Sequence, residues 1–207
     1  AIYSTLKGES ILQLNITDSG IYYLHNYIPV RQFRHYSEEE VALTKKIWDY
    51  KNSDADALNV FTNELMWAVA MIANRTRSNK FGLVAVPPSK VDKLSAIRTS
   101  IQAMINWYNQ GIIRNNFGCS KAFYDYSNLL TRVSDISTAH EGVRATYDEQ
   151  IESIKCFRNN LSKYWTTFII LDDVTTLGTS MDVCRDILLE HGAKEQYIIR
   201  MAIARTV

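Results

Sequence analysis

Apolar and polar positions alternate over Ile11–Ile16, which predicts a half-buried strand. Ile21–Ile28 is aromatic and β-prone, which predicts its partner. Ser37 and Glu40 have the spacing of a capping box, and Val41–Tyr50 then reads as a helix. Ser53 or Asp54 caps a second helix running to about Asn74. Phe81–Val86 is a short apolar run stopped by Pro87 and Pro88, as a buried strand would be. Ser95–Asn109 is helical, with Gly111 where a terminating glycine belongs. Leu129–Val133 reads as a strand, and Thr146–Phe157 as a helix. Phe168–Leu171 reads as a buried strand, Ser180–His191 as a helix closed by Gly192, and Tyr197–Ala204 as a last strand. Between them, Ser134–Thr146 is polar and aperiodic, a stretch expected to be functional and mobile without ligand. From Phe81 onward strands and helices alternate, so the expected fold class is α/β, with a mainly parallel sheet flanked by helices. Residues 1–36 are expected to form a small strand pair, and residues 37–207 the α/β domain.

Composition narrows this picture. The chain has 207 residues, 46% of them hydrophobic, enough for one domain with a sizeable core. The net charge of +1 marks neither a nucleic-acid nor a membrane binder, so any anion site must be local. Cys119, Cys156 and Cys184 are scattered and form no C-x-x-C pair, which predicts reduced thiols and a cytoplasmic protein. Leu65–Ala73, the longest apolar run, is too short to span a bilayer and reads as core. No charged segment followed by an apolar stretch opens the sequence as a leader would.

The chemistry concentrates in Phe168–Met181. A buried strand delivers Asp172 and Asp173 to its carboxyl end, where open α/β sheets bind ligands. Four hydroxyl residues follow, Thr175, Thr176, Thr179 and Ser180, and then a helix whose free N–H groups favour a phosphate. Gly178 lets the backbone approach an anion closely. Carboxylates touching a phosphate would repel it, so the acids suit sugar hydroxyls and the loop suits the phosphate. The plainer alternative is a helix cap and nothing more. A Walker B strand would need a G-x-x-x-x-G-K-[ST] loop, which the chain lacks.

Leu171–Ser180 resembles the phosphoribosyl pyrophosphate motif of type I phosphoribosyltransferases. The resemblance implies that Asp172 and Asp173 take the ribose hydroxyls. It also implies that Thr176, Leu177, Gly178, Thr179 and Ser180 wrap the 5′-phosphate, Leu177 through its backbone. Leu177 replaces the commoner Thr or Ala. Thr176 stands where hypoxanthine-type enzymes carry Asp, which argues against that purine salvage. Two further stretches are similar to the competence-associated ComF-like branch. Val84–Lys90 is similar to its pyrophosphate loop, with Ser89 and Lys90 as ligands. Leu129–His140, continuing to Arg144, is similar to its catalytic loop, with His140 where that branch has Gln. Trp48–Lys51 is similar to its N-terminal Lys-Tyr region. The branch's zinc-binding cysteines are missing.

The implied activity is transfer of ribose 5-phosphate to a nitrogenous base, with pyrophosphate released and Mg2+ held mainly by substrate and water. Lys90, Arg132 and Arg144 would add positive charge; Arg132 has an equally plain reading as a structural residue. His140 reads as an exposed loop residue. Tyr22, Tyr23 and Tyr27 are candidates for a base-stacking hood, or else pack on the core. The alternatives are a non-catalytic effector binding the same ligand, and a DNA-uptake accessory protein. A homodimer is compatible with the reading; a membrane or nucleic-acid partner is not expected.

Overall fold

The computed structural model describes residues 2–5, 11–136 and 145–207. A seven-stranded sheet forms its centre, in the order β1 (Ile2–Thr5), β2 (Ile11–Ile16), β3 (Ile21–Tyr27), β9 (Ile198–Thr206), β8 (Thr167–Thr175), β4 (Lys80–Ala85) and β5 (Ala122–Asp125). From β3 to β5 every neighbouring pair is parallel. The β1–β2 and β2–β3 pairs at one edge are antiparallel, so β2 runs against the rest of the sheet. The N-terminal strands therefore extend the main sheet, because β3 hydrogen-bonds to β9. A separate two-stranded antiparallel sheet joins β6 (Leu130–Arg132) to β7 (Ile154–Cys156).

Helices cover both faces. α1 (Glu38–Lys51), α2 (Ala55–Arg75) and α3 (Ala96–Asn109) pack on one face through Tyr50, Phe61, Leu65, Met66 and Ile101. α6 (Thr179–Glu190) packs on the other through Met181, Cys184 and Leu188, joined by Leu130 and Ile154. β8 alternates between the two cores. Ile169 and Leu171 face the first, and Phe168 and Ile170 the second. That explains a continuous apolar run in a strand buried on both sides.

Local signals start the helices. Ser37 Oγ accepts from Glu40 N at 3.3 Å, while the Glu40 carboxylate accepts from Ser37 N at 2.9 Å. The bonds that Ser37 N and Ser37 Oγ donate to it hold the exposed Glu40 carboxyl below its ordinary pKa. Asp54 caps α2 through Ala57 N, and Ser95 caps α3 through Arg98 N. Gly111, at φ +74°, turns the chain from α3 into α4 (Ile112–Phe117), a short helix that the apolar pattern does not announce. β1 and β5 were likewise not legible as strands.

One expected helix is corrected. Within Thr146–Phe157 only α5 (Tyr147–Glu152) is helical. Ser153 Oγ donates to Gln150 O at 2.8 Å at the helix end, and Ile154–Cys156 then pairs with β6. β8 also runs four residues past Leu171, so the two acids lie within a strand paired to β9. No helix among the described residues is long and apolar enough to cross a membrane.

Candidate functional site

β4 leads through α3, on one face, to its outer neighbour β5. β8 leads through α6, on the other face, to β9. The connections thus diverge between β4 and β8. In open α/β sheets such a switch point leaves a crevice at the carboxyl ends of the strands, and ligands bind there. A two-lobed cleft occupies this place. The larger lobe, about 660 Å³, is lined by the Thr175–Met181 loop with Thr146, Tyr147 and Gln150. The smaller, about 200 Å³, is lined by Val86–Ser89, Lys93–Ile97, Arg132 and Asp173. Lys51, Ser89, Lys93, Asp172 and Ser180 border both.

The acid pair lies where the lobes meet. Successive strand residues point to opposite faces, and the neighbours of these two acids follow that rule. Asp173 meets α1, its Oδ1 lying 3.4 Å from Lys51 Nζ. Asp172 lies toward α6, where its charge helps burial push the Cys184 thiol upward. Asp172 Oδ1 accepts from Asp173 N at 2.8 Å, and Asp173 Oδ1 from Val174 N at 2.6 Å. Burial, and then the charge of Asp173, raise the Asp172 carboxyl well above the ordinary carboxylate range; Lys51 and the Asp173 N–H oppose them. Burial by itself would depress the Lys51 ammonium. Asp173, then Asp172 and Tyr27, more than offset it, and its pKa is raised. Lys51 is held in place by its neighbour Tyr50, which is fully buried and whose hydroxyl bonds Ser100 Oγ at 2.9 Å.

The loop after β8 closes the larger lobe. Thr175 is buried, Thr176 Oγ1 shares a hydrogen bond with Thr206 Oγ1 at 3.0 Å, and Leu177 is 77% exposed. Gly178 takes φ +84° and opens α6 with no side chain capping it. The first-turn N–H groups of a helix lack intrahelical partners, so this end is available to an anion. Ser180 Oγ donates to Gln150 Oε1 at 2.8 Å, and Gln150 Nε2 to Ala145 O at 3.3 Å. Tyr147 OH donates to Asp186 at 2.7 Å, which pushes its phenol up to about 12. α5 is thereby fastened beside the loop. Asp182, the acid in the first turn of α6, is ion-paired through Oδ1 with Arg200 and Arg185, and its Oδ2 lies 3.9 Å from the position a Cβ would take at Gly178.

Across the cleft, Arg132 is 3% exposed. Its guanidinium donates to Pro88 O at 2.6 Å, to Pro87 O at 3.5 Å and to Ser153 Oγ. It therefore shapes the Pro87–Ser89 loop rather than offering a free cation to a ligand. Ser89 borders both lobes and its carbonyl accepts from Ile136 N at 3.0 Å. Lys90 is half-buried and borders neither lobe; the exposed Lys93 borders both. Arg144 and His140 lie outside the described residues, as does most of the segment expected to be mobile. None of the three hood tyrosines lines the cleft. Tyr22 and Tyr27 pack on the first core, and Tyr23 lies under the Arg205 guanidinium.

The structure thus brings Asp172, Asp173, Ser89, Thr175, Thr176, Leu177, Gly178, Thr179 and Ser180 around one cleft. It adds Lys51, Lys93, Tyr147 and Gln150, which sequence reasoning left out of the site. The signs available for Lys51 were a cation closing a helix and the likeness of Trp48–Lys51 to the N-terminal Lys-Tyr region of the ComF-like branch. No local pattern marks Gln150, whose partner Ser180 is remote in sequence. No protein-family model matches the chain, and no curated protein matches its sequence.

Proposed function

We propose that this chain is a phosphoribosyltransferase, which binds phosphoribosyl pyrophosphate in the two-lobed cleft and transfers ribose 5-phosphate to a nitrogenous base. One observation carries the reading. Two lobes meet at an acid pair, and the larger ends at the uncapped N-terminus of α6. A sugar with phosphates at both ends suits that layout. The 5′-phosphate takes the N–H groups of Gly178, Thr179 and Ser180. The ribose hydroxyls donate to Asp172 and Asp173. The diphosphate lies in the smaller lobe beside Ser89. The likeness of Leu171–Ser180 to the type I motif, and the order of the parallel strands, support the corresponding fold.

In the reaction, a base nitrogen bonds to the anomeric carbon as the bond to the diphosphate oxygen breaks. Pyrophosphate leaves with that electron pair. Positive charge builds on the ribose in the transition state, beside the carboxylates of β8, so positioning and electrostatics do most of the work. Arg132 contributes by holding the Pro87–Pro88 carbonyls. Mg2+ would neutralise the leaving diphosphate. Among the described residues the cleft is lined by two acids, Asp172 and Asp173, so the oxygens around that ion would come mainly from ligand and water.

The test is binding and turnover. Phosphoribosyl pyrophosphate with Mg2+ at a hundredfold excess over Kd stabilises the protein by about 2.7 kcal/mol. Asp173→Asn weakens that effect while the protein stays folded. Base-dependent release of pyrophosphate, measured over a panel of bases, identifies the acceptor. No thermal shift at millimolar ligand overturns the proposal. A shift without turnover on any base replaces the transferase with an effector that binds the same ligand.

A further inference from the structure

A cation from an element far from the loop motifs reaches the junction of the two lobes. Lys51 Nζ lies 3.4 Å from Asp173 Oδ1. Asp173 borders only the smaller lobe, whereas Lys51 borders both. The ammonium therefore sits where the smaller lobe meets the larger, beside Asp173. Arg132 lines this lobe too, but its guanidinium is bound to Pro87, Pro88 and Ser153. Lys51 is tied to a single side-chain carboxylate, at a distance longer than a good charge-assisted bond. Its stem is placed by the buried Tyr50 and by the Tyr27 ring, whose centroid lies 6.0 Å from Nζ. A flexible ammonium on a fixed stem can exchange one oxyanion for another without moving the helix.

We infer that Lys51 is a ligand-binding residue for the diphosphate end. It holds Asp173 in the free protein and transfers to a diphosphate oxygen when the smaller lobe fills. This rests on the proposed ligand and deepens it, by naming the cation that receives the diphosphate. The exchange answers an electrostatic difficulty of the site. A diphosphate entering beside two carboxylates is repelled unless a cation stands between them. With Lys51 turned to the diphosphate, Asp173 is free to accept a ribose hydroxyl. Among the described residues, the titratable groups that interact with the acid pair are Lys51 and Tyr50 from α1 and Cys184 from α6, and Arg132 from β6 lines the same lobe.

Calorimetric titration of the full chain with three probes separates the possibilities. The probes are Mg-pyrophosphate, ribose 5-phosphate and Mg-phosphoribosyl pyrophosphate. Lys51→Met is expected to weaken pyrophosphate by about tenfold or more, the scale of one charge-assisted contact. Ribose 5-phosphate should change by less than about twofold, because its phosphate is taken by the Gly178–Ser180 backbone and not by Lys51. Lys51→Arg keeps most of the pyrophosphate affinity. Asp173→Asn removes the competing carboxylate, so it tightens pyrophosphate while weakening phosphoribosyl pyrophosphate. Should Lys51→Met fail to fold, that opposite pair of signs in Asp173→Asn still decides the matter. Equal losses for pyrophosphate and ribose 5-phosphate, or no loss for either, overturn the assignment of Lys51. If the wild-type chain binds none of the probes, the underlying reading falls as well, and the two failures are distinct.

Discussion

Gly178 is the position where backbone and packing demands coincide, so its replacement by alanine has a calculable cost. The residue has φ +84°, and a Cβ there would lie 2.6 Å from Ile21 Cδ1. An L-residue forced into the left-handed region costs about 1–2 kcal/mol. Ile21 is 1% exposed and packed in the second core, so its end can yield only partly. Overpacking of that kind adds about 1–3 kcal/mol. Gly178→Ala should therefore destabilise by about 2–5 kcal/mol, a large share of the 5–15 kcal/mol typical of a domain. Ile21→Val deletes the clashing Cδ1 and by itself costs about 0.5–1.5 kcal/mol. In that background the alanine should cost only its backbone part, so the double-mutant cycle should show a favourable coupling of about 1 kcal/mol or more. Urea unfolding followed by tryptophan fluorescence measures all four corners. Additive effects, or a cost below about 0.5 kcal/mol for Gly178→Ala alone, would refute both the close approach and the strained turn.

Three other substitutions probe the site's electrostatics and anchoring. Asp172→Asn should raise the melting temperature at neutral pH, because the folded state holds the carboxyl's pKa up and so resists its ionisation. The contribution of Asp172 is fully favourable below the ordinary carboxylate pKa of about 3.9 and is lost as pH rises through the elevated value. The advantage of Asn should therefore shrink on acidification; a constant difference from pH 4 to 8 would contradict the assigned burial. Arg132→Lys should destabilise by about 2–4 kcal/mol in urea, since an ammonium cannot reproduce the fork that serves Pro87, Pro88 and Ser153. Tyr147→Phe should remove a phenol titrating near 12 from the alkaline absorbance difference spectrum. The stability that this phenol contributes is full below about 10, the ordinary value, and is lost as pH rises through about 12.

The parts of the site legible in the sequence are those held by short-range contacts. Ser37 with Glu40, Asp54 and Ser95 all cap helices as their spacing predicts, because a cap needs only the next turn of backbone. The segment from Asp172 to Ser180 was likewise readable, since an acid-bearing strand, a left-handed glycine and a helix start are consecutive. Thr146–Phe157 misled because Ile154–Cys156 becomes a strand only in the presence of Leu130–Arg132. Lys90 and Lys93 look alike in sequence. Which of them borders the cleft depends on how the Pro87–Ser95 connection folds across the sheet's end.

By itself, then, the sequence determined most of the central strands and helices, their caps, and the glycine turn that opens α6 without a side-chain cap. These features depend on dihedral preferences and hydrogen bonds within a few residues. Only the tertiary structure decided what each charged group does. Sheet order put β4 beside β8 and so opened the crevice, and packing of α1 brought Lys51 to Asp173. Strand alternation turned Asp172 toward α6, and burial converted Arg132 from a candidate ligand into an anchor. Such roles follow from distance and desolvation between remote segments. Both are set only when the helices have packed on the two faces of the sheet.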